Sequence, residues 1–219
     1  MSFTVIDAEQ RSEAWRTARL GRLTGSRAAD MLATIKSGEA AARRDYRMQL
    51  VCERLTGRSQ EDGFISPAMQ RGVDCEPLAL RAYEATGVLL QRSGFLAHDR
   101  YMAGCSLDGH VGEYAGIVEI KCPKSATHLK YLRAGVVPSE HLPQITHNLW
   151  ITGAAWCDFV SFDDRFDADL SLFLVRVLRD EHAIAGYARQ ALAFLAEVEA
   201  EHAAVCTMRN IGAVLQAAV

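Results

Sequence analysis

No stretch of about 18 consecutive apolar residues occurs in this 219-residue chain, so no helix is expected to cross a bilayer. Six cysteines, at 52, 75, 105, 122, 157 and 206, include no C-x-x-C pair, and no Cys/His set has finger-like spacing. Structural zinc is therefore not expected, and the cysteines read as free thiols and small buried hydrophobes. The opening MSFTVIDAEQR has neither a basic start nor an apolar core, so no secretory signal is expected and the protein reads as soluble and cytoplasmic. Repeats, low-complexity tracts and long linkers are also missing. Lysine is scarce, with four against twenty arginines.

What is present is ordinary globular material, 49% hydrophobic and 23% charged. A chain of this size removes roughly 70% of its unfolded surface from water, which excludes a disordered chain or a disulfide-stapled miniprotein. One domain over residues 1–219 is expected. The net charge of −3 argues against a polyanionic partner, but its distribution does not. Between Arg11 and Arg58 ten arginines and one lysine stand against five acids, a local balance of +6 that leaves −9 elsewhere. A basic face on an acidic body suits a protein that binds a polyanion on one surface. A solvated, arginine-rich pair of helices accounts for the charge equally well.

The first third reads as helical, over Ser12–Leu20, Ser26–Thr34 and Glu39–Thr56, the last closed by Gly57. Ser66-Pro67 opens a further helix with proline at its first position, Pro77 should bend or restart it, and Gly87 ends it. Strands follow over Val88–Ala97, Arg100–Ser106 and a segment ending Gly116–Lys121. Helices over Ser125–Ala134 and Ser139–Ile151, strands over Ala155–Phe162 and Leu172–Leu178, and an amphipathic helix from Asp180 to about Ala204 complete the order. The fold class is α/β, a central mixed β-sheet flanked by helices, with the sheet-containing core at about 66–178.

The chemistry lies in Cys105-Ser106-Leu107-Asp108-Gly109 and Glu119-Ile120-Lys121. Ile117, Val118 and Ile120 make an apolar strand on which Glu119 and Lys121 alternate, so both point to one face. A buried ion pair contributes little stability by itself, so its place on a core strand needs another reason. Asp108 ends a neighbouring segment and can lie across from Glu119. Two carboxylates brought together repel unless a divalent cation sits between them, and an all-oxygen set points to Mg²⁺ or Mn²⁺. A lysine beside such a cation can act on the attacking water or offset phosphate charge.

Asp108…Glu119-Ile120-Lys121 resembles the core of the PD-(D/E)xK, restriction-endonuclease-like nucleases, and more specifically the phage lambda exonuclease type, the YqaJ-like viral recombinases. The resemblance runs from Trp15 to about Trp150. It comprises Trp15-Arg16-x-x-Arg19-Leu20-Gly21-x-x-Thr24-Gly25-Ser26, Gly72-x-x-x-Glu76, the Asp108 and Glu119 segments, Cys122-Pro123, and Gln144 with Trp150. It implies that Asp108, Glu119 and the backbone carbonyl of Ile120 hold the metal, that Lys121 acts on the nucleophilic water, and that Glu76 completes the acidic cluster. Gln144 is similar to the glutamine facing the site from the following helix. Arg19, Ser26 and Ser106 match a pocket for the terminal 5′-phosphate, with Ser26 opening a helix. Met69 falls where the family places an apolar wedge between strands. The chain departs from the family at His141 and His147, where tyrosines are usual, and at Thr127, where a basic residue is usual; Lys124, His128 or Lys130 could supply that charge.

The resemblance implies a Mg²⁺-dependent 5′-to-3′ exonuclease on linear double-stranded DNA, leaving a 3′ single-stranded tail. It further implies a ring-shaped homotrimer, a single-strand annealing protein as partner in phage recombination, and a bacterial host. An endonuclease or junction resolvase on the same fold, or a DNA-end-binding module with a dead site, are the competing expectations.

Overall fold

A computed structural model describes residues 3–60 and 66–217, with side chains to 208. Met1 and Ser2, part of the segment read above for a signal, lie outside the described residues. The elements in chain order are β1 (Phe3–Ile6), α1 (Glu13–Arg19), β2 (Leu23–Thr24), a 3-10 turn (Gly25–Arg27), α2 (Ala28–Met31) and α3 (Ala41–Thr56). Next come α4 (Pro67–Glu84), β3 (Phe95–His98), β4 (Ala103–Ser106), β5 (Gly109–Val111), β6 (Gly116–Lys121) and α5 (Ser125–Ala134). A second 3-10 turn (Ser139–His141), α6 (Leu142–Thr152), β7 (Trp156–Phe162), β8 (Leu172–Leu178) and α7 (Glu181–Ala217) complete the chain.

Local chemistry sets most of these boundaries. Ser12 caps α1 by accepting from the Trp15 N–H, and Ser66 caps α4 by accepting from Met69, with Pro67 just inside. Gly57 ends α3 in a left-handed conformation, φ 63°, that a side chain would strain. Five expectations are corrected. The helical first third also contains β1 and β2, and the Ser26–Thr34 helix shrinks to a 3-10 turn and one turn of α2. Val88–Ala97 is a strand only from Phe95, although Gln91 still makes one bridge to His110. α4 continues through Pro77, because Ala79, Leu80 and Tyr83 beyond it are buried against the sheet and hold the helix where the proline removes a bond. α7 runs beyond Ala204, to Ala217.

The expected central sheet is two mixed four-stranded sheets, ordered β1-β3-β4-β2 and β5-β6-β7-β8. β2 pairs parallel with β4 and β6 parallel with β7; every other pairing is antiparallel. The chain leaves β4 at Ser106 and crosses to β5 through Leu107 and Asp108. The β5·β6 ladder ends at Gly109↔Val118, where the Asp108 carboxylate accepts from the Ile120 N–H at 2.6 Å. A side chain has taken the place of the next rung.

Helices cover both faces of the second sheet. Ile117, Cys157 and Phe159 join the main core with α3, α6 and α7, while Val118, Ile120, Val160 and Phe162 pack on Ala79, Leu80 and Tyr83 of α4. Glu119 and Lys121 alternate with the α4-facing residues and so belong to the α6 side, as their spacing requires. Much of the basic first third is neutralised within the fold. Arg43 and Arg47 pair with Glu39 and Glu197, and Arg54 with Glu199 of α7. These α3 arginines are held in ion pairs against Glu39 and α7 rather than left solvated or free for a polyanion.

Behind the second sheet, buried Asp158 accepts from the Tyr83 hydroxyl at 2.7 Å and from two Arg176 nitrogens at 2.8 and 2.9 Å. Arg176 lies over the Trp156 ring at 3.7 Å. Arg176→Met leaves a buried carboxylate with only a hydroxyl for company, and is expected to cost about 3–5 kcal/mol. Urea unfolding should show it as a lower midpoint with an unchanged slope.

Candidate active site

α1, the first half of α4, the ends of β4 and β6 and the start of α6 enclose an open cleft of about 880 Å³. Asp108, Glu119, Ile120, Lys121, Glu76, Gln144, Arg19, Ser26, Ser106 and Met69 all line it. Residues spread over more than half the chain thus reach one place.

On the floor, Glu119 is only 2% exposed. The Lys121 ammonium donates to Glu119 Oε1 and, at 3.2 Å, to Gln144 Oε1. Asp108 is recessed but keeps some access to the cleft. Loss of water and then the Glu119 charge push its carboxyl well above the usual range, against the opposing pull of Lys121 and the Ile120 N–H. Burial pulls the Lys121 pKa down, but Glu119 and Asp108 outweigh it and the net shift is upward. Lys121 therefore stays an ammonium, a donor and a positive charge. The floor holds two carboxylates with one cation between them. Among the described residues no three His, Cys, Asp or Glu side chains are arranged around a metal position. The groups able to hold one are the Asp108 and Glu119 carboxylates, supplemented by a backbone carbonyl.

One wall is built by α1. Trp15 Nε1 donates to Ser106 Oγ at 2.8 Å, and the Arg19 guanidinium stacks over the Trp15 ring at 4.2 Å. Ser106 accepts from the indole and keeps its own proton for an anion. Ser26 is exposed in the 3-10 turn and is not a helix N-cap, so a helix terminus does not explain its place here. The Thr24 N–H is tied to the Tyr46 hydroxyl at 3.1 Å, and a Cβ on Gly25 would lie 2.3 Å from Asn148 Oδ1. The first ties the turn to α3, and the second, a close approach to α6, requires glycine at 25.

Glu76 stands apart from the floor pair, bonded to Arg11 at 3.3 Å and Arg92 at 3.4 Å. Met69, 57% exposed, sits at the rim in the first turn of α4. His128 is fully buried and bonded to Ser161 and the Leu170 carbonyl, so it cannot supply the charge missing at Thr127. Lys124 and Lys130 are exposed. His98 and His110 are buried.

The sequence reading missed Asn148 and gave His147 no role. Asn148, 1% exposed, donates to Glu119 Oε2 at 3.2 Å, so each oxygen of that carboxylate has its own donor. Its spacing of four from Gln144 puts both on one helical face, and a buried amide at that spacing was the available signal. His147 links the Tyr187 hydroxyl at 2.7 Å to the Gly104 carbonyl at 2.9 Å, tying α6 to α7 and β4.

The YqaJ-like viral recombinase domain matches residues 14–155. The chain belongs to that family. No curated protein matches it. Among solved structures it is similar to LHK-Exo in complex with dAMP, at 39% identity and TM-score 0.82, covering 93% of this chain and all of that one. The structure described as an alkaline exonuclease, LHK-Exo, from Laribacter hongkongensis superposes with TM-score 0.81 at the same identity and coverage. A phage related exonuclease from Haemophilus somnus, at 15% identity, 85% and 96% coverage and TM-score 0.63, shares the fold. The YqaJ-like match ends just past α6, so β7, β8 and α7 lie beyond it. Among the described residues no helix is long and apolar enough to cross a membrane.

In this YqaJ-like chain, burial holds the His147 pKa down at about 4. The unfolded residue binds its proton near pH 6.5 while the folded one does not, so its contribution to stability is complete above 6.5 and is lost as pH falls toward 4. The unfolding free energy should drop across that window, and His147→Gln should flatten the drop. Asn148→Ala releases one oxygen of Glu119, and should lower kcat about 10–100-fold while KM for DNA changes little. Steady-state kinetics on linear duplex DNA checks it.

Proposed function

We propose that this deoxyribonuclease is a Mg²⁺-dependent exonuclease that hydrolyses the 5′-terminated strand of linear double-stranded DNA and leaves a 3′ single-stranded tail. The observation that carries the reading is the meeting of an Asp108/Glu119 pair, Lys121 and an Arg19–Ser106 wall in one cleft. LHK-Exo, 39% identical over its whole length, is described as an alkaline exonuclease and as a complex with dAMP, a deoxynucleoside monophosphate such as stepwise hydrolysis releases.

The donor set fits a hard divalent cation: two carboxylates, of which Asp108 is raised by burial and then by the Glu119 charge, with the Ile120 carbonyl as a further oxygen. Asp108, Glu119 and the Ile120 carbonyl would hold Mg²⁺, and Mn²⁺ suits the same oxygens. When bound, the cation supplies Lewis acidity for activating water and offsets charge on the phosphate. Lys121, an ammonium fixed by Glu119 and Gln144, orients the attacking water and balances the charge that grows on the phosphoryl oxygens. Gln144 gives that ammonium a second acceptor beside Glu119. Asn148 fixes the plane of the Glu119 carboxylate. Arg19, Ser106 and Ser26 bind the terminal 5′-phosphate, where a guanidinium can donate two parallel bonds. Met69 at the rim parts the strands at the end of the duplex, and Glu76 completes the acidic side of the cleft.

The same reading takes the working unit as a homotrimeric ring around DNA. It acts with a single-strand annealing protein in phage recombination, in the cytoplasm of a bacterial host.

The test is a time course on linear duplexes with 5′-phosphate or 5′-hydroxyl ends, in Mg²⁺ or EDTA, beside a closed circular plasmid. Mg²⁺-dependent loss of the 5′ strand from linear DNA alone, faster with phosphate, is the expected result. Nicked circles would make it an endonuclease, and end binding without cleavage a dead module. Lys121→Ala should slow hydrolysis by at least about 10²-fold with DNA binding retained; cleavage at the normal rate would overturn the mechanism.

A further inference from the structure

Arg11 is one of two non-glycine residues with positive φ among the described residues, at 71°, in the left-handed region that a side chain disfavours. It immediately precedes the Ser12 cap of α1, and its side chain lines the cleft. The segment is held there on purpose by its neighbour, since Gln10 Nε2 donates to the Leu107 carbonyl at 2.9 Å, next to Asp108. The bond that Arg11 makes does not explain the strain. It meets Glu76 through one nitrogen at 3.3 Å and remains 51% exposed, and single-point pairs at that exposure contribute little. Arg92 already serves the other Glu76 oxygen at 3.4 Å. A strained residue kept for a weak pair points to a partner that is not part of the folded chain.

The cleft supplies the chemistry of that partner. Its floor carries two carboxylates and Glu76 a third, so a phosphodiester strand entering it meets negative charge that Lys121, committed to Glu119 and Gln144, does not offset. Trp15 and Arg19 stand one turn apart on the side of α1 that lines the cleft, and Arg11, just before the Ser12 cap, lines the same cleft at the end away from Arg19. Resting on the reading of this cleft as a DNA site, we propose that Arg11 is a DNA-binding residue that exchanges Glu76 for an internal phosphodiester of the bound strand, distinct from the terminal 5′-phosphate at Arg19. The exchange replaces a single-point bond by one that a guanidinium can make with two oxygens.

The experiment measures equilibrium binding of the full-length protein to labelled linear duplexes with 5′-phosphate or 5′-hydroxyl ends, in EDTA, over a range of NaCl concentrations. Arg11→Gly is the informative variant, because glycine accepts the left-handed backbone and removes only the guanidinium. Its melting temperature should equal or exceed that of the wild type. Affinity should fall about 3–10-fold equally for both ends, and the slope of log K against log salt should shrink by about 0.9, the share of one phosphate contact. Glu76→Gln should tighten binding, and adding Arg11→Gly should remove that gain. An unchanged slope in Arg11→Gly, beside a salt-dependent wild type, would overturn the proposal and leave Arg11 as a neutraliser of Glu76. A loss confined to 5′-phosphate ends would overturn it too, by placing Arg11 in the terminal pocket. A wild type that binds no duplex would instead overturn the nuclease reading on which it rests.

Discussion

Asp108 Oδ2 accepts the Ile120 N–H at 2.6 Å, and the geometry of the cleft follows from that bond. It closes the β5·β6 ladder with a carboxylate where the next backbone rung would be. In doing so it places Asp108 beside Glu119 on the adjacent strand. Loss of water, and then the charge of Glu119, hold the Asp108 carboxyl well above its usual range, even with the Lys121 ammonium on the same floor. A cleft built this way favours a divalent cation for elementary electrostatic reasons. The residual negative potential is part of the fold, and an arriving cation relieves it.

The surroundings are arranged to keep that floor rigid. Glu119 has one donor per oxygen, from Lys121 and Asn148, and Gln144 and Asn148 come from successive turns of α6. α6 is fixed from behind by His147, which reaches α7 and β4, and from the side by Gly25, whose missing Cβ lets the 3-10 turn approach Asn148. The turn that brings Ser26 to the cleft therefore rests on the same helix that orients the floor carboxylate. The wall of α1 is positioned separately, through the Trp15 indole on Ser106. Floor and wall meet at Ser106 and Asp108, two residues apart on the crossing from the first sheet to the second.

The alternation in Gly116–Lys121 disclosed that Glu119 and Lys121 share a face, because side-chain direction in a strand has a period of two and depends on nothing beyond the strand. Serine caps before Trp15 and Met69, glycine after Thr56 and proline after Ser66 marked helix ends for equally local reasons. β1 and β2 could not be read this way. Short edge strands have no period of their own, and form because β3 and β4 are there to pair with them. Pro77 misled in the other direction, since burial of Ala79, Leu80 and Tyr83 outweighs the one bond that the proline removes. Ser26 was assigned to the right cleft but to the wrong local structure, because the contacts that tighten its turn come from Tyr46 and Asn148, 20 and more residues away.

By itself the sequence determined most elements of the α/β fold and the face shared by Glu119 and Lys121, and its ordered short motifs named ten residues that line the cleft. The elements and the shared face follow from local periodicity, capping chemistry and residue type, and the other cleft residues from the resemblance to a nuclease family. Tertiary structure alone decided that the strands divide into two sheets, that Asn148 serves Glu119, that His128 and His147 are buried, and that Arg43, Arg47 and Arg54 of α3 pair with glutamates of α7. Each of these depends on groups far apart in the chain, whose distance no local pattern encodes.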